Sequence, residues 1–167
     1  MSGKTRLVQT VQNGDTPAMS PFRRRKQGNA RAEIAAAPAG PPIRRLLVCD
    51  DNDSVTHLLE LLFSHEDWAL EVVTNGPDCL AALDRSRPDV LLLDQRLDGP
   101  LSGIETATAA RQRGYDLPIL LFSAYLDDEA RGDAERLQLI AVSKLDFPAI
   151  VRHVNAAYQL AQAKSGP

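Results

Sequence analysis

Five apolar runs of strand length alternate with amphipathic segments from Arg44 onward, and this alternation constrains the fold more than any other feature. The predicted strands are Arg45–Cys49, Ala69–Val73, Asp89–Leu93, Pro118–Phe122 and Leu139–Ser143. Strands that alternate with helices at short spacing are typical of βαβ units, which build a parallel sheet with helices on both faces. We therefore predict an α/β domain around a five-stranded parallel, doubly wound sheet.

The segments between these runs have the apolar periodicity of helices. The predicted helices are Ser54–Ser64, Pro77–Arg85, Ile104–Arg113, Asp127–Leu137 and Pro148–Ala163. In the first helix the apolar side chains recur at i, i+3, i+4, i+7 and i+8, which predicts one buried face. That face comprises Val55, Leu58, Leu59, Leu62 and Phe63.

Four of the five strands end in residues that can carry chemistry. The first strand runs into Asp50 and Asp51, and the later ones are followed by Asp94, Ser123 and Lys144. Ligands of open α/β sheets bind at the carboxyl ends of the strands, so these side chains are predicted to meet at one edge.

Three carboxylates at close range repel each other, and hard oxygen ligands with room for water suit Mg²⁺. With the metal and the ammonium group of Lys144 neutralising charge, Asp94 is a candidate nucleophile towards a phosphoryl group. Ser123 offers a hydroxyl to a phosphoryl oxygen. Taken singly, these residues are more often helix caps, turn formers or surface charges, so the prediction depends on their combination.

These motifs resemble the receiver domain of two-component response regulators over residues 44–161. The matching segments are Leu47–Asp51, Val90–Asp94, Phe122–Ala124 and Val142–Lys144. The resemblance implies a flavodoxin-like fold and Mg²⁺ bound by Asp51, Asp94 and the main-chain carbonyl of Arg96, with Asp50 assisting through water. It also implies that Asp94 accepts phosphate from a histidine kinase or a phosphotransfer protein.

The chain departs from this family pattern at three positions. Asp98 stands four residues after the phosphoacceptor, where the family usually has proline, and the loop has one additional residue before Gly103. Leu145 follows Lys144, where the family usually has a cis proline. Ala141, three positions before Lys144, stands where the family usually has an aromatic residue. We expect the phosphorylation chemistry to be intact. We expect the transmission of the phosphorylated state from the site to the protein surface to differ from the family pattern.

The first 42 residues differ in composition from the rest. Residues 1–43 contain seven Lys or Arg and two acids, whereas residues 44–167 contain twelve Lys or Arg and twenty acids. The early segment has few large apolar residues and several prolines, so we expect residues 1–42 to be a disordered basic extension and residues 43–163 to be the domain. A solubilising role is favoured over contact with nucleic acid or an acidic partner, because few aromatic residues are interleaved with the basic run Arg23–Lys26.

Cys49 and Cys79 lie on apolar patterns without metal-ligand spacing, so we interpret both as reduced core residues. No apolar run has the length of a membrane span and no signal sequence is recognisable, so we expect a cytoplasmic protein without membrane association.

The favoured interpretation is a single-domain regulator, without a DNA-binding domain, that signals to an output protein by protein–protein interaction. It is not expected to be an enzyme beyond its own phosphorylation and dephosphorylation. The alternative is an interaction module or scaffold that does not depend on phosphorylation. A hydrolase is a weaker third option, because the loop lacks a second acid placed as a general acid unless Asp98 serves.

Overall fold

The structure is a computed structural model, and it describes residues 6–8 and 43–164. Within these residues, six strands form one sheet: β1 (Arg6–Val8), β2 (Arg44–Cys49), β3 (Trp68–Val73), β4 (Val90–Asp94), β5 (Ile119–Ser123) and β6 (Ile140–Ser143). Five helices in the described part of the chain connect or follow them: α1 (Asp53–Phe63), α2 (Gly76–Ser86), α3 (Gly103–Gln112), α4 (Asp128–Arg136) and α5 (Phe147–Lys164).

The sheet has the order β1-β3-β2-β4-β5-β6, and all neighbours from β3 to β6 are parallel. This confirms the predicted five-stranded parallel sheet. The boundaries of the predicted strands and helices match those of β2 to β6 and α1 to α5 to within one residue, which is inside the usual uncertainty of such boundaries.

Alternate residues of the central strands face two separate hydrophobic cores. On β2, Leu46 and Val48 pack in the core beneath α1 and α5, while Leu47 and Cys49 pack in the core beneath α2 and α3. Successive strand residues point to opposite faces, so a strand covered by helices on both sides is apolar throughout. The doubly wound arrangement follows directly.

Side chains at the starts of α1 to α4 fix where these helices begin. Asn52 and Asn75 accept hydrogen bonds from the first amides of α1 and α2, and Asp127 does the same for α4. Ser102 and Glu105 form a reciprocal capping box at α3. These caps set the ends of the loops that carry the residues at the carboxyl edge of the sheet.

The buried face of α1 is narrower than its apolar pattern predicts. Leu59 and Phe63 are fully buried and Thr56 is also covered, but Leu58 is 39% exposed. Val55 and Leu62 are only partly buried against the core. The prediction was wrong for Leu58, because the sheet covers a narrower stripe of the helix than the five apolar residues span.

One strand lies within the segment that we expected to be unstructured. Arg6–Val8 pairs antiparallel with β3, with Leu7 opposite Glu71. An edge strand has unpaired backbone groups, and β1 satisfies some of those of β3. The expectation of disorder fails for these three residues, while the rest of residues 1–42 lies outside the described part of the chain.

Cys49 and Cys79 are buried free thiols, as predicted. The pKa of Cys49 is raised well above its usual range, mainly by a hydrogen bond with Cys79 and secondly by burial. Within the described residues, no helix combines the length and the apolar character needed to cross a bilayer.

Candidate functional site

The five predicted site side chains lie on loops or strand ends at one edge of the sheet. Asp50 and Asp51 follow β2, Asp94 is the last residue of β4, Ser123 is the last residue of β5, and Lys144 directly follows β6. The strand register places them together, since Cys49 is opposite Leu93, Asp94 is opposite Phe122, and Ser123 is opposite Ser143.

Three carboxylates form the centre of this edge. Each of Asp50, Asp51 and Asp94 has a carboxylate oxygen that lies within 4.8 Å of such an oxygen of the other two. Asp50 is 1% exposed and Asp94 is 5% exposed, whereas Asp51 is half-buried. Buried carboxylates at this separation require positive charge nearby to remain ionised together.

Lys144 supplies part of that charge. Its Nζ lies 2.6 Å from Oδ2 of Asp50 and 2.8 Å from Oδ2 of Asp94. The same ammonium group lies 5.2 Å from the centre of the Phe122 ring, which favours a cation at this position. One ammonium against three carboxylates leaves the centre negative.

The pKa values of the ion pair reflect this balance. Burial raises the pKa of Asp50, and the hydrogen bonds from Lys144 and from the amide of Asn52 only partly offset that rise. Burial by itself lowers the pKa of Lys144, but its hydrogen bonds to Asp50 and Asp94 outweigh burial, so the pKa is raised. Lys144 is therefore a fixed cation at neutral pH.

Backbone amides hold the two acids that follow β2. The N–H of Asn52 donates to Oδ1 of Asp50 at 3.0 Å, and the N–H of Asp98 donates to Oδ2 of Asp51 at 3.2 Å. The second contact joins the loop after β2 to the loop after β4. Sequence reasoning noted that residue 98 is not proline but missed this role, because the presence of a main-chain N–H does not show which acceptor it contacts.

The loop after Asp94 is packed tightly against the start of α3. A Cβ at Gly103 would lie 2.2 Å from the carbonyl oxygen of Asp94, so only glycine fits there. Gln95 accepts from Gly103 through its main-chain oxygen at 3.0 Å and from Ile104 through its side chain at 3.1 Å. These contacts fix the backbone of Asp94, and the glycine after the N-cap Ser102 was the available sequence signal.

Arg96 lies exposed on the same loop. The role predicted for its carbonyl oxygen as a metal ligand stays a prediction.

The hydroxyl of Ser123 is engaged in its own loop. It donates to the carbonyl oxygen of Tyr125 at 2.8 Å and lies 3.3 Å from the N–H of the same residue, which donates to it. The carbonyl oxygen of Ser123 accepts from the N–H of Lys144 at 2.9 Å, which connects the ends of β5 and β6. Ser123 is thus at the predicted edge, with its hydroxyl hydrogen-bonded to the loop that leads to α4.

A cavity of about 420 Å³ opens beside Ser123, between β6, α4 and the loop that joins β5 to α4. Tyr125 borders it with a 67% exposed side chain, and Ala141, the small residue at the position that is usually aromatic, also borders it. The other lining residues are Ser123, Ala124, Leu126, Arg131, Ala134, Glu135, Leu139, Val142 and Ser143. A side chain that rearranges near Ser123 has space to enter.

The three carboxylates fit Mg²⁺ as a class of ligand. They are hard oxygen donors on rigid strand ends, close enough to share one ion, and their negative charge exceeds what Lys144 balances. Mg²⁺ sites commonly use one or two carboxylates and keep several waters, which suits a cluster with a half-buried member such as Asp51.

Comparison with known proteins gives consistent matches. A family model described as the response regulator receiver domain matches residues 46–143. The chain is 36% identical over 85 residues to the transcriptional regulatory protein TrcR of Mycobacterium tuberculosis (strain ATCC 25618 / H37Rv), covering 51% of this chain and 32% of that protein. It is 30% identical over 113 residues to the alkaline phosphatase synthesis transcriptional regulatory protein PhoP of Bacillus subtilis (strain 168), covering 68% and 46%. The chain spans less than half the length of either relative.

Solved structures agree on the fold. A putative response regulator from Chloroflexus aurantiacus J-10-fl has a TM-score of 0.62 at 25% identity, covering 70% of this chain and 98% of that one. A CheY-like receiver domain protein from Methanospirillum hungatei JF-1 has a TM-score of 0.67 at 17% identity, covering 74% and 99%. From the family match over residues 46–143, this chain belongs to the response regulator receiver domain family.

Proposed function

We propose that this domain is a phosphorylation-activated switch that takes a phosphoryl group onto Asp94 from a histidine kinase or phosphotransfer protein. The phosphorylated form then acts by binding an output protein. The observation that carries the proposal is the buried cluster of Asp50, Asp51 and Asp94, with Lys144 bridging two of its members. The cytoplasm is the compartment in which such a phosphodonor would be met.

Asp94 is the nucleophile in this proposal. Its carboxylate sits at the end of β4, on a backbone that Gly103 and Gln95 hold in place. One of its oxygens attacks phosphorus, a new O–P bond forms, and the N–P bond to the donor imidazole breaks with the electron pair leaving on nitrogen. Positioning and charge stabilisation supply most of the catalysis of such a transfer.

Lys144 and Ser123 contact the transferred group. The ammonium of Lys144 already lies 2.8 Å from Asp94, so it neutralises charge on the phosphoryl oxygens without a large movement. The hydroxyl of Ser123 donates to a phosphoryl oxygen once it releases the carbonyl of Tyr125. Mg²⁺ held by Asp51, Asp94 and the carbonyl of Arg96, with Asp50 acting through water, would neutralise the remaining charge on the transferred oxygens.

The second candidate function is a scaffold that binds its partner whether or not it is phosphorylated. The observation that favours it is Ala141, an exposed methyl group beside the cavity where the family usually has a ring. A ligand shifts a two-state equilibrium only by its difference in interaction with the two states, and a methyl group contributes little to such a difference.

A beryllium fluoride complex, which imitates a phosphoryl group, tests whether the site accepts such a group, as the switch requires. We expect it to shift the amide signals of Asp94, Ser123 and Lys144 only when Mg²⁺ is present, and to have no effect on Asp94→Asn. Asp67→Asn is the matched control, since this acid lies exposed at the opposite edge of the sheet. A wild-type spectrum that does not change when the complex is added at saturating Mg²⁺ would contradict the switch and favour the scaffold.

A further inference from the structure

We propose that the main-chain N–H of Asp98 positions Asp51 for Mg²⁺, a role that rests on the proposed function. The loop after β4 crosses to the loop after β2, where this N–H donates to Oδ2 of Asp51 at 3.2 Å. The other two acids of the cluster are held by Lys144, and Asp50 also by the amide of Asn52. Asp51 is half-buried, and among the described residues its donor comes from the neighbouring loop.

The loop is shaped to present this donor. Its start is fixed by Gln95, which accepts hydrogen bonds from Gly103 and Ile104 at the beginning of α3. Its middle turns at Gly99, where φ is +135°, a conformation that residues with a Cβ rarely adopt. The nearest atom to a Cβ at Gly99 would be 3.9 Å away, so the requirement for glycine is conformational. The turn immediately follows the residue that donates.

The donor exists because residue 98 is not proline. Proline has no N–H, so a chain with proline four residues after the phosphoacceptor cannot make this hydrogen bond. The positive end of an N–H dipole also offsets the repulsion among three carboxylates and holds one oxygen of Asp51 in a fixed direction. Orienting contacts of this kind around a metal ligand commonly change metal affinity by about ten- to a hundredfold. For a solvent-exposed contact through one neutral donor, we expect about three- to tenfold.

The test compares substitutions at residue 98 that remove the N–H donor with substitutions that keep it. Asp98→Pro removes the N–H, whereas Asp98→Ala and Asp98→Asn keep it and remove the carboxylate charge. We expect calorimetric titration of the full-length protein to show about three- to tenfold weaker Mg²⁺ binding in Asp98→Pro, and binding within about twofold of wild type in the other two. At saturating Mg²⁺, phosphorylation of Asp98→Pro should reach the wild-type rate, because the change raises the Mg²⁺ requirement and leaves the transfer step intact.

A second measurement does not depend on how well proline fits the loop. In metal-free protein, the amide of Asp98 should exchange slowly with solvent, and Asp51→Ala should accelerate that exchange while leaving the amide of Asn52 protected. Equal Mg²⁺ affinity in Asp98→Pro and wild type, or an amide of Asp98 unaffected by Asp51→Ala, would overturn the inference. A wild-type protein that binds no Mg²⁺ would instead overturn the proposed function, so the two failures are distinguishable.

Discussion

Replacing Lys144 by methionine tests the charge balance of the site in the metal-free protein. Lys144 is the cation within hydrogen-bond distance of both Asp50 and Asp94, and its side chain is 16% exposed. Methionine keeps the length of the side chain and removes the charge. Asp50, at 1% exposure, is then left without its ammonium partner. Removing one partner of a buried ion pair typically costs about 3–5 kcal/mol.

The cost in Lys144→Met has an upper bound set by pH, because Asp50 can take up a proton. Neutralising a carboxyl group with an unfolded pKa of about 3.9 costs about 1.4 kcal/mol per pH unit above that value. The bound is about 5 kcal/mol at about pH 7.5 and about 1 kcal/mol at about pH 4.5. We therefore expect a loss of about 3 kcal/mol at the higher pH and under about 1 kcal/mol at the lower pH.

The sign of this pH dependence follows from the pKa of Asp50. Burial raises that pKa in the folded wild type, and the loss of Lys144 raises it further. A group with a raised folded pKa contributes stability below its unfolded pKa and loses it as the pH rises through the folded value. The free energy of unfolding of Lys144→Met should therefore fall more steeply than that of wild type between about pH 4 and about pH 7.5.

Urea denaturation at both pH values, with a chelator present, measures this difference. Lys164→Met is the control, because Lys164 is an exposed cation in the last turn of α5. It should change stability by under about 1 kcal/mol at either pH. An equal loss in Lys144→Met at the two pH values would refute the reasoning, since that result would mean that the lysine contributes by packing and not by charge.

Three further outcomes are expected. The phosphoryl group should be long-lived, because Arg96 and Tyr125 lie two residues beyond Asp94 and Ser123 and impede the attacking water; slower hydrolysis in the Arg96→Ala, Tyr125→Ala double variant would contradict this. A chain that begins at Ile43 should melt close to the full chain, with faster amide exchange in β3 because β1 is gone; a large drop in melting temperature would show that the extension supports the core. A phosphoryl mimic should shift the amide signals near Ser123–Asp128 more than those in Leu139–Val142, because Ala141 offers only a methyl group to the cavity. Equal shifts in both segments would refute a weak coupling between the site and β6. If the shifts are unequal as expected, Tyr125→Ala should remove the difference in partner binding between the two phosphorylation states.

The parallel sheet and its carboxyl edge were predictable because both are periodic or positional features of the sequence. Apolar runs such as Leu46–Cys49 and Val90–Leu93 permit a strand buried on both faces, and in a parallel sheet their ends meet at the same edge. Residue type and position relative to a strand were sufficient to bring Asp50, Asp94 and Lys144 together. No information on side-chain contact was needed for that step.

Two of the features that escaped prediction are long-range backbone contacts, and the third is the extent of burial on a helix. The amide of Asp98 reaches Asp51 across 47 residues of sequence, and a backbone donor does not depend on a recognisable side chain. Arg6–Val8 pairs with β3 over a somewhat longer separation, and three residues are too few to show an apolar alternation. Leu58 was misassigned because an apolar stripe shows which side of a helix faces inward, but not how much of that side the sheet covers.

Phosphorylation of Asp94 itself is the measurement that bears most directly on the account. The purified protein is incubated with Mg²⁺ and a small phosphodonor, and its intact mass is recorded beside those of Asp94→Asn and Asp67→Asn. We expect wild type and Asp67→Asn each to gain the mass of one phosphoryl group in a Mg²⁺-dependent reaction, and Asp94→Asn to gain none. Phosphate uptake by Asp94→Asn equal to that of wild type, or no uptake by wild type at saturating Mg²⁺, would contradict it.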